Sequence, residues 1–277
     1  MTDQYAVIGN PIGHTKSPLI HSLFAQETQQ DMSYTAIEGP AEPQDAFAGT
    51  VHTFAAAGGK GMNVTAPFKL KAFAIADERS ERAALAGAAN ALSFRDGRIV
   101  AENFDGVGLV RDIEVNLSLP MVGKRVLVLG AGGAVRGALL PFLAARPAEL
   151  VIANRDIVKV KALVAQAAAG SPPIACGYGE LEAMGRFDLV VNATSASLTG
   201  ELPPVPSSVF SPTGVAYELA YGKRLTPFLR LARNAGVVSV ADGVGMLVEQ
   251  AAEAFAWWRG VRPQTHAVID RLTVPLD

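Results

Sequence analysis

Three clusters in the first third of the chain carry side chains able to grip a small polyhydroxylated acid. They are Thr15-Lys16-Ser17, Asn63-Val64-Thr65-Ala66-Pro67-Phe68-Lys69, and Asn90 with Asn103-Phe104-Asp105. Hydroxyls at a helix N-terminus can bind a carboxylate, because the first backbone N–H groups there lack partners and the helix dipole favours an anion. Asn63, Thr65, Asn90 and Asp105 fall at predicted strand ends, where α/β sheets hold their ligands. Each also has an ordinary use. Ser17 and Thr65 can be helix caps, and a lysine in a first helical turn is usually a surface charge. It is the combination that points to a site.

A second chemistry lies further along. Val126-Leu127-Val128-Leu129 is a fully apolar strand running straight into Gly130-Ala131-Gly132-Gly133-Ala134 and then a helix. A strand, glycine turn and helix in that order place backbone N–H groups where a pyrophosphate can sit. Gly130 permits the tight turn and Gly132 the close approach of backbone to ligand. Val135 stands where the usual fingerprint has its third glycine, so the motif is a variant. Asn154-Arg155 ends the next strand, where an enzyme using NAD normally carries an acid for the ribose hydroxyls. An amide and a guanidinium there favour the 2′-phosphate of NADP. Asp156 opposes that preference and Lys159 restores it, so NAD remains open as well. The plainer alternative is that Arg155, Asp156 and Lys159 are a solvated helix start.

Strand-like and helical runs alternate from end to end, which predicts α/β architecture. Strands are expected at Tyr5 to Ile8, Ser33 to Ile37 and Gly61 to Val64. Helices are expected after Ser17-Pro18, with Ser17 as N-cap, and at Pro43 to Ala57, Pro67 to Ala76 and Glu81 to Ala86. Asp96-Gly97 marks a tight hairpin between Ala89 to Phe94 and Arg98 to Asn103, expected at the edge of this first sheet. From Arg125 the order strand, helix, strand Leu150 to Ala153, helix Ile157 to Ala169, strands Leu189 to Val191 and Val215 to Tyr217, and helix Pro227 to Ala235 predicts a doubly wound unit. A long helix, Met246 to Trp258, and a short one after Pro263 complete the chain. The expected division is 1–104 with 243–277 as one domain and 105–242 as the other.

Composition limits the alternatives. With 24 basic and 26 acidic residues, the net charge of −2 argues against a nucleic-acid binder or a polybasic membrane binder. An apolar share of 49% supports large cores, without any unbroken apolar run long enough to span a bilayer. The single cysteine, Cys176, can form neither an internal disulfide nor a cysteine-cluster metal site, which suits a reducing compartment and a cytoplasmic protein. His14, His21, His52 and His266 lack ligand spacing, so no metal is expected. His21 reads as a packed or surface side chain on the first helix.

The chain also resembles the shikimate dehydrogenase family over essentially its full length. The matching stretches are Gly9 to Pro18, Asn63 to Lys69, Gly87 to Asn90, Asn103 to Gly106, Gly130 to Gly137, Asn154-Arg155, Asn192-Ala193-Thr194, Thr226-Pro227, and Ala241 to Leu247 with Gln250. The resemblance implies reversible NADP-linked reduction of 3-dehydroshikimate to shikimate, on the route to chorismate and the aromatic amino acids. It implies a substrate domain completed by the C-terminal helices, an inserted Rossmann-type nucleotide domain, a cleft that opens and closes, and a monomer or homodimer. By position, Lys69 becomes the catalytic acid/base and Asp105 its partner. Thr15, Ser17, Thr65, Asn90, Tyr221 and Gln250 match substrate-holding positions, Leu219 and Gly243 match positions lying against the nicotinamide half of the cofactor, and Glu81 matches one tied to the nucleotide. Family members usually carry threonine at Ala91 and Phe104, aspartate at Glu218 and threonine at Asp156. A ring at Phe104 and a missing hydroxyl at Ala91 are expected to reshape the pocket or tilt Asp105. Asp156 resembles relatives that accept NAD and oxidise quinate. The alternatives are therefore a quinate/shikimate dehydrogenase accepting NAD and a slow or noncatalytic nucleotide-binding paralogue.

Overall fold

The computed structural model describes residues 2–41, 46–167, 172–222 and 224–276. The chain divides into two compact units, Met1–Gly108 with Val248–Asp270, and Leu109–Leu247 with Arg271–Asp277.

The first unit holds β1 (Asp3–Gly9), α1 (Ser17–Glu27), β2 (Met32–Glu38), α2 (Ala46–Ala56), β3 (Gly59–Val64), α3 (Lys69–Ile75), β4 (Glu78–Arg79), α4 (Glu81–Ala86), β5 (Ala91–Arg95), β6 (Arg98–Glu102) and the start of α5 (Asp105–Arg111). Its sheet runs β2-β1-β3-β5-β6-β4. The β1, β2 and β3 strands are parallel, while β5 enters antiparallel to β3 and pairs with β6. Asp96 and Gly97 both take positive φ, 51° and 73°, the backbone that a two-residue hairpin turn matching the sheet twist demands. The hairpin is nevertheless not the edge, because β4 adds in parallel outside β6. Two exposed residues give no periodic signal, and this strand could not be read from the sequence. The core packs Ile8, Met62, Val64 and Leu92 of the sheet against Phe47 of α2 and Phe68 beside α3. Pro43, the expected start of α2, lies outside the described residues.

The second unit contains β7 (Arg125–Leu129), α6 (Gly133–Ala144), β8 (Glu149–Asn154), α7 (Ile157–Val164), β9 (Ile174–Gly177), β10 (Phe187–Asn192), α8 (Ala196–Thr199), β11 (Phe210–Glu218), α9 (Pro227–Asn234) and β12 (Ser239–Asp242). All six strands are parallel in the order β12-β11-β10-β7-β8-β9, with the reversal of direction beside β7. That is the doubly wound arrangement whose ligands lie at the carboxyl ends of the strands next to the reversal. Val126 to Leu129 are at most 1% exposed, which explains why this strand reads as an unbroken apolar run. The expected end of the helix from Ile157, at Ala169, lies outside the described residues.

Two helices close the chain, α10 (Val244–Arg259) and α11 (His266–Leu272). No helix among the described residues is long and apolar enough to cross a membrane.

Candidate active site

At the first residue of α3, the Lys69 ammonium donates to Asp105 Oδ2 at 2.6 Å. Asp105 opens α5 and its carboxylate is held at both oxygens, since Oδ1 accepts from Asn90 Nδ2 at 2.7 Å. Its backbone N–H is taken by Asn103 Oδ1 at 3.1 Å. Asn90 lies just before β5, is 2% exposed and uses its whole amide. Besides Asp105, its Nδ2 donates to Gln250 Oε1 of α10 at 3.2 Å, and its Oδ1 accepts the Phe104 N–H at 2.9 Å. Asn63 Nδ2 reaches the Asn90 carbonyl at 3.2 Å. A carboxylate fixed by an amide on one oxygen and an ammonium on the other is a strong charge-assisted pair. It leaves N–H protons of the ammonium for a hydroxyl or carbonyl oxygen.

Gly108 lets α5 and α10 approach, for a Cβ there would fall 2.6 Å from the Gln250 backbone nitrogen. This contact places Gln250 beside Asn90. The two glycines of Asp105-Gly106-Val107-Gly108 conceal α5 from a propensity reading.

The cap expectation for Ser17 fails. Lys16 is the N-cap of α1 and makes no side-chain cap bond, so the Ser17 hydroxyl is not used on the helix. Thr15 Oγ1 instead donates to Ser17 Oγ at 3.2 Å, setting two hydroxyls side by side. Thr65 is likewise free of capping duty, because α3 starts at an N-cap Phe68 without a side-chain cap.

Phe104, immediately before Asp105, is turned into the core. Its ring is 4% exposed and packs in a small cluster with Ala91 and Ala254. Trp257 meets it edge-on at 5.7 Å and the Arg82 guanidinium lies 5.6 Å above it. The methyl of Ala91 and the large ring of Phe104 fit one another, and together they back the strand end from which Asp105 projects.

In the second unit the glycine turn forms as expected. Gly130 adopts φ +119°, and a Cβ on it would meet the Ala193 carbonyl at 3.0 Å. Gly132 and Gly133 are different, since a Cβ on either would meet no protein atom within 4 Å. Their bareness serves no protein packing and faces open space, as a cradle for a pyrophosphate requires. The space is a cavity of about 670 Å³ lined by Gly130 to Ala134, Asn154, Lys159 and Thr194 among others. A neighbouring cavity of about 520 Å³ is bordered by Arg155, Asp156 and Tyr178. Both are in the size range of ligand pockets.

Asn154 Oδ1 accepts the Arg155 N–H at 2.9 Å, which fixes the turn that presents the guanidinium. Asp156 is the N-cap of α7, with Oδ1 accepting from Val158 and Lys159 N–H groups and Oδ2 lying 3.8 Å from the Lys159 ammonium. Its charge is thus partly offset by the helix N-terminus and by Lys159. Leu219 and Gly243 are brought together, a Cβ at Gly243 falling 2.2 Å from the Leu219 carbonyl oxygen. Glu81 is exposed in the first turn of α4, and Tyr221 belongs to the second unit with 46% of its surface exposed.

Two buried features stand out, of which sequence reasoning missed the bonding of Glu218 and left His21 as packed or surface. Glu218 is fully buried at the end of β11, where Asn192 and Thr226 donate to it at 2.9 and 3.2 Å and Ser197 donates as well. Burial pushes its carboxyl pKa up, and those donors pull it back. It ties the Asn192-Ala193-Thr194 loop, which borders the cavity, to the strand leading into Leu219. An isolated acid at the end of an apolar strand gave no signal for this.

The second is His21, fully buried on α1, whose pKa burial lowers to about 3, against the opposing pull of the Asn63 side chain. A histidine that stays neutral when folded but protonates near 6.5 when unfolded costs stability as pH falls from 6.5 toward 3. At pH 5 this loss amounts to about 2 kcal/mol. Urea unfolding of the protein and of His21→Phe at pH 7 and pH 5 reads it directly. The variant is expected to gain about 2 kcal/mol on the parent between those pH values; parallel pH slopes would refute the burial argument.

A doubly wound sheet with this glycine turn, on one chain with a second α/β unit carrying a lysine–carboxylate pair, defines a dinucleotide-linked oxidoreductase. Comparison with known proteins is more specific. Residues 7–92 match the shikimate dehydrogenase substrate binding domain, 114–199 the shikimate / quinate 5-dehydrogenase family, and 243–273 the shikimate 5′-dehydrogenase C-terminal domain. The shikimate dehydrogenase (NADP(+)) of Chromobacterium violaceum is 52% identical over 272 residues, 98% of each chain. Among solved structures, an Ael1 enzyme from Pseudomonas putida is 64% identical with a TM-score of 0.94, covering 99% of this chain and 100% of that one. Shikimate 5-dehydrogenase from Thermus thermophilus, in complex with NADP(H) and shikimate, is 29% identical with a TM-score of 0.83 over 97% of each chain. The chain belongs to the shikimate dehydrogenase family.

Proposed function

We propose that this protein catalyses the reversible NADP-dependent interconversion of 3-dehydroshikimate and shikimate in the shikimate pathway. The observation that carries the mechanism is the Lys69–Asp105–Asn90 network at the strand ends of the first unit. Substrate binding is assigned to the domain of residues 1–104 and 243–277, and the nucleotide to 105–242.

Bound NADPH supplies the hydride for reduction, and NADP+ accepts it in the reverse direction. The carbonyl oxygen being reduced gathers negative charge and needs a proton, which the Lys69 ammonium donates, leaving a neutral amine. In oxidation that amine takes the hydroxyl proton. Asp105 keeps the nitrogen in place through either direction, and Asn90 keeps Asp105 from turning. Thr15 and Ser17 offer paired hydroxyls to the substrate carboxylate, while Thr65, Asn90, Gln250 and Tyr221 are assigned to its remaining polar groups. The turn Gly130-Ala131-Gly132-Gly133-Ala134 would hold the pyrophosphate, and Asn154, Arg155 and Lys159 the 2′-phosphate. Leu219 and Gly243 would face the nicotinamide end, with Glu81 also assigned to the nucleotide.

Initial rates with shikimate and quinate, each against NADP and NAD, test the proposal. The highest kcat/KM is expected for shikimate with NADP. Preference for quinate or NAD would shift the reading to a quinate/shikimate dehydrogenase, and no turnover with any pair would overturn it.

Asp156 offers a separate check on the nucleotide site. Asp156→Asn keeps an oxygen for the α7 cap but removes an exposed negative charge beside Arg155 and Lys159. The NADP KM is expected to fall by about threefold to fivefold, the effect of one partly screened charge, with the NAD KM nearly constant. Equal changes for both cofactors would place the 2′-phosphate elsewhere.

A further inference from the structure

Between the last residue of β6 and the first of α5, three consecutive backbone N–H groups are each taken by a side-chain oxygen. Asn103 N–H donates to Glu102 Oε1 at 2.6 Å, Phe104 N–H to Asn90 Oδ1 at 2.9 Å and Asp105 N–H to Asn103 Oδ1 at 3.1 Å. Backbone donors away from water must find acceptors, so these three bonds hold the turn that presents Asp105 in one shape. Glu102 is the charged member of the three acceptors, and the proposed mechanism leaves it unused.

The Glu102 residue is 7% exposed, and its carboxylate is gripped from α4. Arg82 donates to both oxygens, from Nη2 to Oε2 at 2.7 Å and from Nε to Oε1 at 3.3 Å, and the Ser80 hydroxyl donates to Oε1. Ser80 is also the N-cap of α4, accepting the Ala83 N–H at 3.1 Å, which leaves its own proton for Glu102. A nearly buried carboxylate is tolerated only when a cation and hydrogen bonds meet it, and here both do. The Glu102 carbonyl meanwhile accepts the Asn90 N–H at 3.1 Å. One residue thus holds the backbone of Asn90 and of Asn103, the two asparagines whose side chains hold Asp105.

We propose that Glu102 is a positioning residue for Asp105, and through it for the Lys69 ammonium, with Arg82 and Ser80 supplying the grip. This rests on the assignment of Lys69 as acid/base in shikimate turnover. Without an acceptor for its N–H, Asn103 turns and releases the Asp105 N–H, and the carboxylate that aims the lysine shifts. The cost falls on the chemical step, because small displacements of reacting groups are expensive there.

Steady-state kinetics with shikimate and NADP test this in the intact protein and three variants, Glu102→Ala, Arg82→Met and the double variant Glu102→Gln with Arg82→Met. Glu102→Ala is expected to lower kcat about thirtyfold with both KM values within about threefold. Arg82→Met leaves a nearly buried carboxylate without its cation; the carboxylate turns toward water, and kcat is expected to fall about tenfold. The double variant has no charge to draw the side chain outward and still offers an oxygen to the Asn103 N–H, so kcat is expected to return to within about threefold of the parent. Where Glu102→Ala does not fold, Arg82→Met and its rescue decide. In a Lys69→Ala background, Arg82→Met is expected to change the residual kcat by less than about threefold, which a loss of general stability would not explain. An unaltered kcat in Arg82→Met, a loss carried by the shikimate KM, a failed rescue, or a tenfold loss repeated without Lys69 overturns the positioning role and leaves the substrate assignment standing. A parent protein that does not turn over shikimate removes the substrate assignment, and this proposal with it.

Discussion

Lys69→Ala is expected to lower kcat for shikimate oxidation by about a thousandfold while the shikimate KM stays within about threefold. The split follows from what the side chain touches. Lys69 contacts Asp105 and presents its remaining N–H groups at the strand ends, so its loss removes the group that moves the proton. The hydroxyls of Thr15 and Ser17 and the amides of Asn90 and Gln250 survive its removal. Losses in KM and kcat of similar size would make Lys69 a binding residue. Full activity would remove it from the mechanism.

The second large effect is expected at Asn90→Ala, which strikes stability and chemistry together. The substitution strips the Asn90 partner from Asp105 Oδ1 and leaves the Phe104 N–H buried without its acceptor. An orphaned buried donor costs about 1–3 kcal/mol, so the urea midpoint moves down accordingly. Asp105, freed on one side, holds the lysine less well, and kcat/KM is expected to fall by about a hundredfold. Lys69→Ala combined with Asn90→Ala is expected to lose little more kcat than Lys69→Ala alone, because in the chemical step both act through one proton transfer. Multiplicative losses in kcat would mean that Asn90 acts on that step independently of the pair.

How much of this was legible in the sequence differs between the units. The β7 strand and glycine turn announce themselves, since a parallel strand covered on both faces must be apolar throughout and the turn needs bare backbone. By contrast β12, with Ser239 exposed and its other three residues only partly buried, and β4, with two residues, produce no pattern to read. In the first unit the residue types of the site were visible as three clusters, but the bond between Lys69 and Asp105 joins positions 36 apart. Local spacing carries no information about such a pair, and here the family resemblance proposed it. Ser17 looked like a cap because serine before proline usually is one, and the structure instead sets its hydroxyl beside that of Thr15. For Phe104 the sequence shows size but not direction, and the structure supplies the direction: the ring turns toward Ala91, Ala254 and Trp257. The hydrogen bond from Tyr34 of β2 to Asn63 Oδ1 was hidden for a similar reason. On a strand with alternating exposure Tyr34 is one more inward-facing aromatic until its hydroxyl is located.

The central claim is that this chain oxidises the carbinol of shikimate that becomes the 3-keto group. Shikimate carrying deuterium on that carbon, incubated with the protein and NADP, tests it when the reduced nicotinamide product is weighed by mass spectrometry. The label is expected in the NADPH formed. NADPH without label, or no NADPH at all, would contradict the claim.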